Sequence, residues 1–111
     1  MDKIKVLIAD DHRVVREGLA AILKTKEDLH IVGEAQDGME AVEKAKALVP
    51  DVILMDVQMP IMNGFEATQA IRKLGNEKAT TPIIAMTANV LKEEVDLCYQ
   101  AGMNDFIGKP F

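Results

Sequence analysis

Short aliphatic runs alternate along this chain with longer stretches whose apolar residues recur every three or four positions, and this alternation restricts the fold more than any other feature. The runs at 4–9, 29–32, 52–55, 82–86 and 106–107 predict strands. Between them, Val15, Leu19, Ile22 and Leu23 share one helical face, and Ala41, Val42, Ala45 and Leu48 share a second. Phe65, Thr68, Ile71 and Leu74 form a third, and Leu91, Val95, Cys98 and Ala101 a fourth. Asp37 and Asn63 each precede a glutamate by three positions, the spacing of a capping box, and Gly102 is placed to close the fourth helix. The polar stretch 75–81 is the one extended loop. Strands alternating with helices predict an α/β domain: a parallel sheet with right-handed crossovers and helices on both faces.

The chain has 111 residues, 49% of them hydrophobic, which suits a single domain over 1–111 and leaves no room for a second. Its longest apolar runs are four to six residues, far short of the roughly 20 needed to cross a bilayer. Charge at Asp2, Lys3 and Lys5 leads directly into the first strand, unlike a signal peptide. These features predict a cytoplasmic protein that does not engage a membrane. Net charge is −5, with no stripe of Lys and Arg among aromatics, so the chain is not expected to bind nucleic acid directly. Cys98 alone excludes an internal disulfide and reads as a small buried residue. With only His12 and His30 besides, it offers no zinc spacing.

In parallel sheets of this kind the ligand site lies beyond the carboxyl ends of the strands. Strand one ends at Asp10-Asp11, strand three at Asp56, strand four at Thr87-Ala88 and strand five at Lys109-Pro110. Asp56 is the most telling, because an apolar strand should not end in an unpartnered carboxylate. Singly, each residue has an ordinary reading: Asp10 and Asp11 as caps of the first helix, Lys109 as a solvated charge, Thr87 as a strand end. Together they are poorly explained that way. Three carboxylates packed together resist ionisation unless a cation joins them. Mg²⁺ suits such a site, with few carboxylates and room for water and a phosphate oxygen. No glycine-rich phosphate loop follows the first strand, so dinucleotide binding has no support. Met55, Met59 and Met62 flank the site and read as packing, because the oxygen ligands favour a hard ion. Glu66, Glu93 and Glu94 read as charges at helix entries.

The segments VLIADDH, DVILMDVQMPIMNG, PIIAMTAN and DFIGKPF, in this order and spacing, resemble the receiver domain of two-component response regulators from about Lys3 to the end of the chain. The resemblance implies a flavodoxin-like, doubly wound sheet of five strands in the order 2-1-3-4-5. It implies that Asp56 accepts a phosphoryl group from a histidine kinase, a phosphotransfer protein or a small phosphodonor. Mg²⁺ would be held by Asp10, Asp11, Asp56 and the Gln58 carbonyl, while Thr87, Ala88 and Lys109 contact the phosphoryl oxygens. A cis Lys109-Pro110 bond is implied as well. Thr87 and Phe106 match the family's switch pair, with Phe where many members have Tyr; ordinary core packing explains Phe106 equally well. Gln58 and Asn89 match positions that tune dephosphorylation.

Family members normally continue past K-P-F with a further helix, so the last helix is expected to be missing from this chain, a truncation being the simpler account. One sheet face should then expose apolar atoms of strands one, four and five, so the chain is expected to self-associate through it, swap elements, or be markedly less stable than a version extended by a helix. The first half of the chain is similar to receivers attached to helix-turn-helix output domains, and the second half to receivers fused to histidine kinases, so a fused or a separate output domain is implied. A phosphatase of the haloacid dehalogenase type also uses an Asp nucleophile with Mg²⁺, but carries a second Asp where Gln58 stands. A flavodoxin would need a Ser/Thr-rich loop where Asp10-Asp11-His12 stands. The reading is therefore a switch, not an enzyme with a separate substrate.

Overall fold

A computed structural model of the chain describes residues 3–75 and 77–109. In chain order its elements are β1 (Ile4–Ala9), α1 (Arg13–Leu23), β2 (Leu29–Ala35), α2 (Gly38–Leu48), β3 (Val52–Asp56), α3 (Gly64–Arg72), β4 (Ile83–Thr87), α4 (Lys92–Ala101) and β5 (Asp105–Gly108). The five strands form one sheet in the order β2-β1-β3-β4-β5, and every adjacent pair is parallel. This is the flavodoxin-like arrangement implied by the sequence.

β3 gains Asp56 and β4 runs one residue later than the sequence expectation, Ile83–Thr87, while β2 and β5 differ more. β2 continues through Gly33 and Glu34 to Ala35, where the aliphatic pattern stops at Val32. A register shift opposite Val6 and Leu7 lets Gly33 pair with Leu7 and carries the strand on, so that Ala35 ends beside Ala9. β5 gains Asp105 and Gly108 because ladder pairing with Ile84 and Thr87 extends beyond its apolar residues. A short 3-10 turn, Glu77–Thr80, occupies the expected loop.

Alternation along the strands builds two apolar layers. Leu7, Ala9, Ile53, Met55, Ile83 and Ala85 face Ala41 and Ala45 of α2, Ala67 and Ile71 of α3, and Cys98 of α4. Val6, Ile8, Leu54 and Met86 face Leu19 of α1 on the other side, the only helix on that face among the described residues. Val15 and Leu23 join Leu19 there, but Ile22, on the same stripe, stays half exposed because no second described element packs beside α1. Ile4 and Ile107 are also open to water. The exposed apolar surface is narrower than the sequence suggests, since Ile8 and Met86 at the centre remain fully buried. Leu91 departs from the expected α4 face: it is an extended N-cap residue and 62% exposed.

Helix ends follow local chemistry. Asn63 and Glu66 form the complete capping box, and Asp37 accepts the Glu40 N–H. Gly102 ends α4 at φ 106, a conformation glycine adopts without penalty. α2 ends on Val49 at φ 45, just before Pro50, which cannot continue a helix.

At the amino edge of the sheet, Arg72 of α3 donates to the carbonyls of Gly102 (2.9 Å), Ala79 (3.0 Å) and Thr81 (2.7 Å) and to Asn104 Oδ1 (2.7 Å). Asn104 Oδ1 also accepts the Ile83 N–H. One guanidinium thus supplies donors to carbonyls that α4 and the 3-10 segment leave over, and its burial lowers the Arg72 pKa.

Candidate functional site

Parallel strands in register end level, which brings distant residues to one edge. Asp56, the last residue of β3, pairs with Met86, and Thr87, the last of β4, pairs with Gly108. Asp10 follows β1 directly, and Lys109 follows β5, where its N–H donates to the Thr87 carbonyl at 2.7 Å. Asp11, Asp56, Gln58, Thr87, Ala88 and Lys109 line one open cleft of about 690 Å³. Of the remaining expected residues, Asp10 lies beneath its floor, fully buried, and Phe106 packs against the α4 side of the sheet. Pro110, and with it the expected cis bond, lies outside the described residues.

Lys109 is the central cation. Its Nζ donates to Asp10 Oδ2 at 2.7 Å and stands 3.2 Å from Asp56 Oδ1. Asp10 Oδ1 accepts the His12 N–H at 2.8 Å, so both oxygens of this buried carboxylate have donors. That bond goes to the residue before α1, and Asp10 serves the site rather than capping the helix turn itself. Asp56 is 5% exposed, and its pKa rises to about 6. Burial is the main cause, repulsion from Asp10 and Asp11 adds to it, and Lys109 offsets only part. Burial works against the Lys109 charge, yet its bonds and attraction to Asp10 and Asp56 win, and its pKa is raised.

Carboxylate oxygens of Asp10, Asp11 and Asp56 and a ring nitrogen of His12 all lie within 4.8 Å of one another. Three carboxylates against one ammonium leave an excess of negative charge over an open cleft. That donor set fits a hard divalent cation.

The loop after β3 holds Asp56 by its backbone. The Gly64 N–H donates to the Val57 carbonyl at 2.9 Å, and a Cβ on Gly64 would stand 2.2 Å from the Asp56 carbonyl oxygen. Gly38, at the start of α2, meets the same loop: a Cβ there would lie 2.0 Å from the Met62 carbonyl oxygen. Met55 and Met59 are buried and Met62 packs against them, as expected of core residues.

Thr87 is nearly fully buried, and its hydroxyl is occupied in a local turn, donating to the Asn89 carbonyl (3.1 Å) and accepting the Asn89 N–H (3.0 Å). Phe106 is half-buried and meets Tyr99 of α4 edge to face, with ring centroids 6.5 Å apart.

Two residues of the site escaped the sequence reading. His12 has no zinc spacing in the sequence, and its adjacency to Asp11 is the signal that points to the cleft it lines. Glu94, read as a helix-entry charge, does stand in the first turn of α4, but it also lines the cleft.

The response regulator receiver domain family matches residues 6–111. The response regulator protein VraR of Staphylococcus saprophyticus is 41% identical over 107 residues, covering 96% of this chain and 49% of that protein. The chain spans about a third to a half of the length of the curated relatives it matches. Among solved structures, the response regulator domain of Thermotoga maritima CheB superposes with a TM-score of 0.88 at 41% identity, covering 97% of this chain and 79% of that one. The receiver domain of sensor histidine kinase PA1611 from Pseudomonas aeruginosa PAO1, with a magnesium ion coordinated in its active site cleft, gives 0.87 at 37% identity, covering 98% and 87%.

Proposed function

This chain belongs to the response regulator receiver domain family of two-component systems, and on that premise we propose that Asp56 is its phosphoacceptor. The observation that carries the reading is the pairing of Asp56 Oδ1 with Lys109 Nζ at 3.2 Å on the floor of an open acidic cleft. An Asp56 oxygen attacks phosphorus, a new P–O bond forms, and the bond to the donor's histidine nitrogen or acetyl oxygen breaks with its electron pair leaving on the donor. Lys109 stands where it meets charge on the incoming phosphoryl group, and the Ala88 N–H and Thr87 hydroxyl border the same space. To reach it, Thr87 must give up its bonds to Asn89, and Phe106 can turn only by leaving Tyr99. This links phosphorylation to the α4–β5 surface. Gln58 and Asn89 border the space from which water would attack the aspartyl phosphate. Incubation with acetyl phosphate and Mg²⁺, read by intact mass, should add one phosphate; no added mass rejects the reading.

Asp11, Asp56 and the Gln58 carbonyl would hold Mg²⁺, with Asp10 below them anchoring Lys109. The ion supplies charge neutralisation for phosphoryl transfer when bound. Asp11→Asn should weaken Mg²⁺ binding at least severalfold in a calorimetric titration, and unchanged affinity would reject Asp11 as a ligand.

The domain acts as a switch in a two-component relay, supplied by a histidine kinase or phosphotransfer protein and read by an output domain, fused or separate, without turnover of a separate substrate. No helix among the described residues is long and apolar enough to cross a membrane. A cytoplasmic relay belongs to this proposal through the histidine kinase or phosphotransfer protein that would supply it. Exposed Ile4, Ile22 and Ile107 border the face that α1 alone covers among the described residues, which favours self-association there. Sedimentation should show dimers that weaken with Ile107→Lys; a monomer at all concentrations rejects this.

A further inference from the structure

Besides His12, four ionisable side chains line the cleft: Asp11, Asp56, Lys109 and Glu94. The reaction described above uses the first three and leaves Glu94 without a part. Asp56 is nearly buried at the floor, whereas Glu94 stands half-buried on the wall, in the first turn of α4. Its neighbour Glu93 is exposed, lies outside the cleft lining and already answers the positive end of the helix. No hydrogen bond or ion pair joins the Glu94 carboxylate to another described residue, so its charge is available to what enters the cleft. A donor presents its phosphorus to Asp56 at the floor, and the departing group, opposite the attacking oxygen, then points toward the open side of the cleft. Charge on that group falls within the field of Glu94.

We infer that Glu94 is a specificity-determining residue that selects the phosphoryl donor by the charge of its leaving group, favouring nitrogen-linked donors over acyl phosphates. The inference rests on Asp56 as phosphoacceptor and adds to that reading the residue that discriminates between donors. In a nitrogen-linked donor the nitrogen is protonated and positive. As the Asp56 oxygen bonds to phosphorus, the P–N bond breaks, its electron pair stays on nitrogen, and a neutral amine or imidazole departs. In an acyl phosphate the P–O bond breaks instead, and its electron pair leaves on a carboxylate anion. While bond breaking is partial, a carboxylate on the cleft wall attracts the first leaving group and repels the second, so the two transition states are stabilised unequally. Lys109 does not cancel this difference, because its Nζ is committed at the floor to Asp10 at 2.7 Å and Asp56 at 3.2 Å.

The test measures rates of phosphate gain by intact mass with phosphoramidate and with acetyl phosphate, at saturating Mg²⁺ and neutral pH, for the full chain, Glu94→Gln, Glu94→Lys and Glu93→Gln. The quantity read is the ratio of the phosphoramidate to the acetyl phosphate rate constant. It should fall about threefold in Glu94→Gln, the size expected of one charge acting through a wet cleft, with phosphoramidate slowed and acetyl phosphate accelerated, and fall further in Glu94→Lys. Glu93→Gln should keep the parent ratio. Raising the ionic strength should narrow the gap between parent and Glu94→Gln, which a purely structural role would not do. Labelling by either donor shows that a variant is folded. An unchanged ratio in both Glu94 variants, both donors slowed alike, an equal fall in Glu93→Gln, or a gap indifferent to salt overturns the inference while leaving Asp56 as the acceptor. A parent that neither donor labels overturns both.

Discussion

Asp56→Asn is expected to gain no phosphate mass from acetyl phosphate and Mg²⁺ under conditions in which the parent gains one. The amide keeps the shape of the carboxylate but lacks a nucleophilic oxygen anion, and the nearby Asp10 is fully buried with both oxygens already bonded. Equal labelling of the two proteins would move the acceptor elsewhere. The same variant should be more stable than the parent without divalent cations. Asp56 has its pKa raised from 3.8 to about 6, chiefly by burial, so the native state holds this proton more tightly than the unfolded chain does. The sign follows: the group favours folding below about pH 4, and that contribution is lost as pH rises through about 6. At neutral pH the ionised carboxylate therefore costs about 1–3 kcal/mol, which Asn removes. Urea unfolding of both proteins from acid to neutral pH should show the gap opening across this window, and a constant gap would contradict it.

Gly64→Ala should be strongly damaging, costing about 3 kcal/mol in urea unfolding. The added Cβ would meet the Asp56 carbonyl oxygen at 2.2 Å, and that oxygen belongs to the backbone of the central strand, with no flexible side chain to yield. Relief must come from moving the loop or the strand, so phosphorylation should fall as well. Gly18→Ala provides the contrast. It lies in α1 with no atom within 4 Å of the added methyl, and helix propensity should favour it by about 0.5–1 kcal/mol. Similar stabilities for the two variants would show that the loop accommodates the added methyl group.

The strand order and the gathering of Asp10, Asp56, Thr87 and Lys109 were legible because two periodicities and a parallel sheet leave few arrangements open. Motif residues were legible as types, but their physical duties were not. Gly64 reads as a loop glycine, and only the structure shows a close approach of two backbones. The positive φ in that loop falls on Ile61, at φ 70, a conformation that sequence would assign to glycine. The β2 extension depends on a register shift set by a neighbouring strand, which no local pattern records. His12 and Glu94 were missed for a related reason: a spacing rule tests each residue against its chain neighbours, while the cleft collects side chains from separate strand and helix ends.

Helix α4 is held very differently at its two ends. Its last residues lead into Gly102, whose carbonyl is held by Arg72, the side chain that also grips Thr81 and Asn104 at the start of β4 and β5. Its first turn begins at Leu91, with no side-chain cap and the side chain largely in water. The free energy of opening must therefore rise along the helix, from a loosely seated start near Asn89 to a riveted end at Gly102. A change at the Thr87 hydroxyl, which is bonded to Asn89 just before the loose end, is therefore expected to reach the surface as a swing of the helix about its held end, with its largest excursion beside the cleft.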